Sequence, residues 1–300
     1  MKQLFLTFIV CANLLSFNLY TQYNPRNSVI AVDMDDVFVQ SHRLNLGLYF
    51  LNLIFLKNPS FLWKMATDTS FRKGITDIYS KTGTNNGGST YNLAMTAKLY
   101  PAFQPYFDDI LTKFHASRSL IDDVVALLRD IKSAGYTIIV ATNRDRMGFE
   151  IIMNHINFNA LYYGAPLFDA ILTAQKEPFV QTTSLPDGKR FSKLNPKTKW
   201  DTYITSVTAF KPEKAYYKKL RELVDTYARS HTGSFDTQEP SILFFDDQIK
   251  NVTGAVLSGY DIKAFVVPQT DKADQMRVNL ASQNITIPKT IGLEMSVTAH

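Results

Sequence analysis

Five short apolar runs punctuate this chain: Val29 to Val32, Thr137 to Ala141, Phe168 to Leu172, Ile242 to Phe245 and Ile262 to Val267. In each, apolar residues stand at adjacent positions, so neither face is meant for water, and each is followed by turn or helix signals. Strands buried on both faces belong to a parallel sheet covered by helices on both sides. The intervening helical patterns agree. One is expected to start at Ser119, with Asp122 completing a capping box, and to carry Leu120, Val124, Leu127, Leu128 and Ile131 before Gly135 ends it. A second is expected from Pro212 through Tyr216, Leu220 and Leu223 to about Arg229. The fold class that results is α/β, a doubly wound parallel sheet.

Two segments break the rhythm. Residues 41–116 hold helical patches, Leu44 to Leu56 and Tyr91 to Tyr100, with no comparable strand, and are read as a helical cap insert. Residues 174–210 read as an irregular insert within the core, with a turn at Pro186-Asp187-Gly188. The core itself is expected over 28–40 and 117–300.

The N-terminus is different in kind. A short basic start, an apolar stretch from Leu4 to Leu15 and a polar exit over residues 1–22 have the form of a signal peptide, too short for a membrane span. Export to a periplasmic or extracellular space is the expectation, with an N-terminal anchor as the alternative and no other transmembrane segment. Cys11 is the single cysteine; a cleaved chain would hold neither disulfides nor cysteine-based metal sites. A formal charge of +5 over 300 residues, without a long basic run, gives no reason to expect nucleic acid as a partner. The basic stretch around Lys189, Arg190, Lys193, Lys197 and Lys199 reads as a solvated hairpin.

Ligands of an open parallel sheet bind beyond the carboxyl ends of its strands. After the first run stand Asp33, Asp35 and Asp36; after the second, Thr142, Asn143 and Arg144; after the fourth, Asp246 and Asp247; and Lys211 precedes the helix before that strand. Two carboxylates about 4 Å apart repel by roughly 4 kcal/mol at an effective dielectric near 20, so this crowding requires a cation or a proton. The set meets the needs of phosphoryl transfer through an aspartyl phosphate. Asp33 would attack phosphorus. Asp35, two residues on, would protonate the leaving oxygen and so must hold a proton near neutral pH, as crowding by carboxylates favours. Thr142 would bond a phosphoryl oxygen and Lys211 would offset charge there. Asn143 and Arg144 are candidate substrate-binding residues, and Asp33, Asp35, Asp246 and Asp247 candidate ligands for Mg²⁺.

These residues resemble the four motifs of the haloacid dehalogenase (HAD) superfamily: Asp33-Met34-Asp35-Asp36-Val37, then Ile138 to Asn143, then Lys211-Pro212, then Phe244-Phe245-Asp246-Asp247 with Asn251. Their order and spacing span roughly residues 28 to 270. The resemblance implies a HAD-like Rossmannoid core, a cap inserted after the first motif and, because an aspartate stands at Asp35, a phosphatase or phosphomutase. The run from Asp33 to Ser41 is also similar to secreted acid phosphatases of that superfamily. A small phosphorylated molecule is the expected substrate. The rival from another class is a secreted binding or effector protein that keeps the core as a scaffold. Lys211 stands farther from Asp246 than the family pattern has it, which leaves Lys214 or a residue of the irregular segment as an alternative. Asn251 is expected to tie down the loop after the fourth motif, and its sequon Asn251-Val252-Thr253 to be chance. Two further echoes, Lys81-Thr82-Gly83-Thr84 and the glycine spacing of Gly83 to Thr90, lack the aspartate and the lysine that would make them phosphate sites.

Overall fold

The computed structural model describes residues 27–41, 59–82, 118–156, 166–174, 204–231 and 239–288. The expected signal segment, the patches at Leu44 to Leu56 and Tyr91 to Tyr100, the glycine-rich stretch after Thr82, the turn at Pro186 and the basic stretch that follows it all lie outside those residues. Among the described residues no helix is long and apolar enough to cross a membrane.

In chain order the elements are β1 (Ser28–Val32), β2 (Val39–Ser41), α1 (Pro59–Thr67), α2 (Thr69–Thr82), β3 (Arg118–Leu120), α3 (Asp122–Ser133), β4 (Thr137–Ala141), α4 (Arg146–His155), β5 (Ala170–Ala174), β6 (Ile204–Val207), α5 (Lys214–Ser230), β7 (Ser241–Asp246), α6 (Ile249–Leu257), β8 (Ile262–Val266) and α7 (Lys272–Ser282). Six strands form one parallel sheet in the order β6-β5-β4-β1-β7-β8. All five apolar runs of the sequence lie in it. The chain builds outward from β1 on one side and then returns to build outward on the other. The carboxyl end of β1 is therefore the topological switch point, where an open α/β sheet has its crevice.

Alternate residues of each central strand feed two separate cores. Ile30 and Val32, Ile138 and Val140, and Leu243 and Phe245 pack on one face with Val124, Leu127, Leu128 and Ile131 of α3 and Met276 of α7. Val29 and Ala31, Ile139 and Ala141, and Ile242 and Phe244 pack on the other with Tyr216, Tyr217, Leu220 and Val224 of α5 and Ala255 of α6. This double burial is why the strands carry apolar side chains at every position.

Four boundaries differ from the sequence reading, each for a local reason. Ser119 does not cap a helix. It belongs to β3, paired with Gln40 of β2, and α3 starts at Asp122 without a side-chain cap. The end of α3 is as expected: Gly135 adopts φ 89°, and Tyr136 N–H bonds Ile131 O while Gly135 N–H bonds Lys132 O. Strand β5 begins at Ala170, two residues late. The Asp169 carboxylate accepts Ile138 N–H at 2.9 Å, Lys132 Nζ at 2.6 Å and Tyr227 Oη at 2.8 Å, and the ladder with β4 starts beyond it. Helix α5 opens at Lys214 rather than Pro212. Residues 174–210 also include β6, an edge strand of mixed polarity whose Ser206 hydroxyl meets Thr173 at 2.8 Å. Thr205 and Ser206 in the middle of this partly buried strand leave no apolar run to find.

Between β1 and β2 the chain reverses tightly: Phe38 and Val39 N–H both bond Met34 O, and Asp36, at φ 56°, donates its N–H to Val39 O. Asp tolerates this left-handed conformation better than most residues. Strands β2 and β3 then form an antiparallel ribbon, with Ser41 opposite Arg118, so residues 42–117 leave and return side by side. Within that insert α1 and α2 pack through Phe61 and Phe71, whose rings meet edge to face at 5.0 Å.

Helix α6 approaches the loop before α5 so closely that Gly254 has no room for a side chain. A Cβ there would stand 2.6 Å from Pro212 Cβ and 2.8 Å from Pro212 O. Gly254→Ala is expected to destabilise the fold by about 1–3 kcal/mol through overpacking. Urea unfolding reads this as a lower midpoint at unchanged slope; an unchanged midpoint would show that the two segments are not in contact.

Candidate active site

The switch point collects four backbone segments. Asp33 follows β1, Thr142 follows β4, Asp246 ends β7, and the loop before α5 carries Lys211. Asp33 N–H bonds Phe245 O at 2.8 Å, which continues the β1–β7 pairing into the site and fixes the two carboxylates beside each other.

Lys211 is the centre of the arrangement. Its ammonium lies 2.9 Å from Asp33 Oδ1 and 2.6 Å from Asp246 Oδ2, and donates to Ala141 O at 2.9 Å. The side chain is wholly buried. Its backbone is held from the other side: Asn143 Oδ1 accepts Lys211 N–H at 2.7 Å, and Asn143 Nδ2 donates to Lys211 O at 3.1 Å. Asn143, a candidate for substrate contact in the sequence, instead orders the lysine loop. Lys214 is exposed at the start of α5 with its ammonium 5.6 Å from the centre of the Tyr260 ring, so the charge between the carboxylates is that of Lys211.

Asp246 is fully satisfied. Besides Lys211, its Oδ1 accepts Gln248 N–H at 2.8 Å, and Asn251 Nδ2 reaches Oδ1 and Oδ2 at 3.0 and 3.1 Å. Asn251 is itself buried, with its carbonyl accepting Tyr217 Oη at 2.5 Å. The amide nitrogen that a glycan would need is thus committed to Asp246. Tyr216 Oη bonds both Thr142 O at 3.1 Å and Leu172 O at 3.2 Å, tying α5 to the ends of β4 and β5. Thr142 is buried, and its hydroxyl accepts Arg144 N–H at 3.1 Å, so its own proton stays available for donation.

One oxygen each from Asp33, Asp246 and Asp247 lies within 4.8 Å of the others. Burial, with Asp246 and Asp35 nearby, raises the Asp33 carboxyl to about 8 against the pull of Lys211. Burial and the charges of Asp246 and Asp36 raise Asp247 to about 6. Oδ1 of Asp247 is buried with no hydrogen-bond partner among the described residues. Three hard oxygen donors under such repulsion fit a divalent cation of the Mg²⁺ kind.

Asp35 departs from the sequence reading in two respects. Its carboxylate does not join the three-oxygen group but turns to two arginines: Arg118 Nη1 at 2.5 Å from Oδ1, and Arg144 with Nε 2.7 Å from Oδ2 and Nη2 2.8 Å from Oδ1. Burial pushes its pKa up, but Arg144 and Arg118 outweigh burial and hold it below the usual carboxylate value. Asp35 is ionised at neutral pH, and the expectation that crowding keeps it protonated is overturned. Arg144 is accordingly an Asp35 partner in this structure. Arg118 belongs to no motif and stands where the chain returns from the insert, so no local pattern marks it. Lys272, at the start of α7, was equally silent; its ammonium bonds the Asp36 carbonyl and fixes the reversal after Asp33.

No family model matches the chain, and no curated protein matches it. Solved structures similar to it are HAD-family enzymes. They include a HAD phosphatase from Thermococcus onnurineus (13% identity, TM-score 0.45, 81% of this chain and 87% of that one). An aspartate-to-alanine mutant of a HAD family enzyme from Bacteroides thetaiotaomicron, in complex with magnesium and inorganic phosphate, is similar at 12% identity and TM-score 0.43, over 83% and 98% of the two chains. An L-2-haloacid dehalogenase from Xanthobacter autotrophicus is similar at 11% identity and TM-score 0.40, over 87% and 84%.

Removing the lysine charge while keeping its length leaves two buried carboxylates without their cation. Lys211→Met is expected to cost about 3–5 kcal/mol of stability, measured by chemical unfolding in EDTA. A loss below about 1 kcal/mol, the worth of an exposed ion pair, would contradict the buried bridge.

Proposed function

We propose that this chain is a Mg²⁺-dependent phosphomonoester hydrolase of the HAD type, working through an aspartyl phosphate on Asp33. The observation that carries the reading is the Lys211 bridge between Asp33 and Asp246, with Asp247 completing three metal-suited oxygens at the switch point of the sheet. It supplies in one place a nucleophile, a fixed cation and a cation site, which phosphoryl transfer needs more than it needs covalent machinery.

In this reading Asp33 attacks phosphorus with one carboxylate oxygen, the phosphorus–ester oxygen bond breaks, and the leaving oxygen takes a proton that Asp35, ionised in the free protein, first accepts from solvent when substrate is bound. Water then attacks the phosphorus of the aspartyl phosphate, Asp35 accepts its proton, the bond to Asp33 breaks, and phosphate departs. The arginines beside Asp35 favour its carboxylate, the form that this second step uses. Thr142 donates to a phosphoryl oxygen, and Lys211 keeps Asp33 oriented while balancing its charge. Asp33, Asp246 and Asp247 would hold Mg²⁺, which supplies charge neutralisation at the phosphoryl group.

The wild-type chain is expected to release phosphate from p-nitrophenyl phosphate with Mg²⁺, and Asp33→Asn to lose activity by roughly a thousandfold or more. Mg²⁺ at 100 times its dissociation constant should stabilise the protein by about 2.7 kcal/mol, an effect that Asp247→Asn reduces. Isomerisation of a sugar phosphate without net phosphate release would assign the site to a mutase. Full activity in Asp33→Asn would remove the covalent route.

A further inference from the structure

Phosphoryl transfer at Asp33 draws on Lys211, Thr142 and the three acidic oxygens; it makes no demand for Arg118 and Arg144. Yet these two guanidiniums converge on a single carboxylate, and they come from separate parts of the chain. Arg144 follows Thr142 off β4, whereas Arg118 lies in β3, the strand by which the chain re-enters the core from the insert. An ion pair serving only to hold the fold needs one arginine. The second is costly, because both are largely buried and repel each other: burial and Arg144 bring the Arg118 guanidinium down to about 10. Forks from two segments aimed at one point are how proteins bind carboxylates and phosphates.

Exposure says which member can exchange. The arginine side chains are 7% and 16% exposed, and the Asp35 side chain 29%. The carboxylate is the open member and can turn outward while the forks stay. Position says what would replace it. Asp35 is two residues beyond Asp33 and, in the proposed reaction, serves the leaving oxygen, so the forks that hold it belong to the leaving-group side of that reaction.

We propose that Arg118 and Arg144 form a second anion subsite, occupied by Asp35 in the free protein and taken over by a carboxylate or phosphate carried on the leaving group of the substrate. The inference rests on the phosphoryl-transfer reading and narrows it: the substrate is a phosphomonoester with a further anionic group close to its ester oxygen. Because Arg118 belongs to the return strand of the insert, that second anion also contacts the boundary between insert and core.

The test uses the full chain with Mg²⁺ and three probes: 2-phosphoglycolate, pyrophosphate and ethyl phosphate. The ratio of kcat/KM for a probe with two anionic groups over ethyl phosphate is expected to exceed about tenfold, and to fall by about tenfold in both Arg118→Lys and Arg144→Lys, which keep the charge but lose the fork. Preference for 2-phosphoglycolate identifies a carboxylate as the second anion, and preference for pyrophosphate a phosphate. A ratio near one in the wild type, or one unchanged in both variants, overturns the subsite while leaving the phosphatase reading intact. Calorimetric binding of 2-phosphoglycolate keeps the two questions apart. If none of the probes is hydrolysed but binding weakens about tenfold in the variants, the phosphatase reading fails and the subsite stands. Absence of binding to the wild type, or equal binding to all three proteins, overturns the subsite.

Discussion

A single ammonium group organises the crevice of this protein. Lys211 stands between the carboxylates that end β1 and β7, and without it two adjacent strands would deliver like charges into a buried space. Burying an ion this deeply is tolerable only when every hydrogen-bonding direction is used. Lys211 has hydrogen bonds to Asp246 and the Ala141 carbonyl and an ion pair with Asp33, and Asn143 clamps its backbone at both polar atoms. The surrounding layers follow from this requirement. Tyr216 and Tyr217 lock α5 to the strand ends and to α6, and Gly254 lets α6 come close enough for Asn251 to reach Asp246.

The site separates into an acidic half and a basic half. Asp33, Asp246 and Asp247 crowd together on one side; Arg118 and Arg144 crowd around Asp35 on the other. The first half suits a cation and the second an anion, so a metal-bound phosphate ester matches both. Electrostatic arrangement of this kind costs no reorganisation when charge shifts during reaction, because the groups are already fixed by the fold. It also divides three neighbouring aspartates by role. Asp33 shares Lys211, Asp35 shares the arginines, and Asp36 gives its backbone to the reversal that Lys272 holds.

Much of this was readable from the residues themselves. Parallel strands buried on both faces leave continuous apolar runs, and all five were visible; the acidic and polar residues directly after them mark the crevice because strand ends define it. What escaped has a physical cause in each case. The strand β6 is partly buried and polar at Thr205 and Ser206, so no apolar run marks it. Ser119 has the composition of a helix cap but is used in a ribbon with Gln40, a pairing across about eighty residues that local patterns do not encode. The environment of Asp35 is hidden for the same reason: its neighbours in sequence are carboxylates, while its neighbours in space include Arg118, 83 residues away, and Arg144, 109 away. Lys211 could be nominated from sequence, but only the fold distinguishes it from Lys214.

The β2–β3 ribbon has a consequence for how the chain tolerates change. Ser41 and Arg118 are register partners, so everything from residue 42 to 117 is, to the core, the loop of a hairpin. For a flexible chain, closing 76 residues rather than the four of an ordinary hairpin costs only about 2.6 kcal/mol more, since each doubling of length adds about 0.6. The insert can therefore be lengthened, shortened or exchanged with little penalty to the sheet, provided that its two ends still meet. Changes of length can accumulate there while the residues at the strand ends keep their places in the sheet.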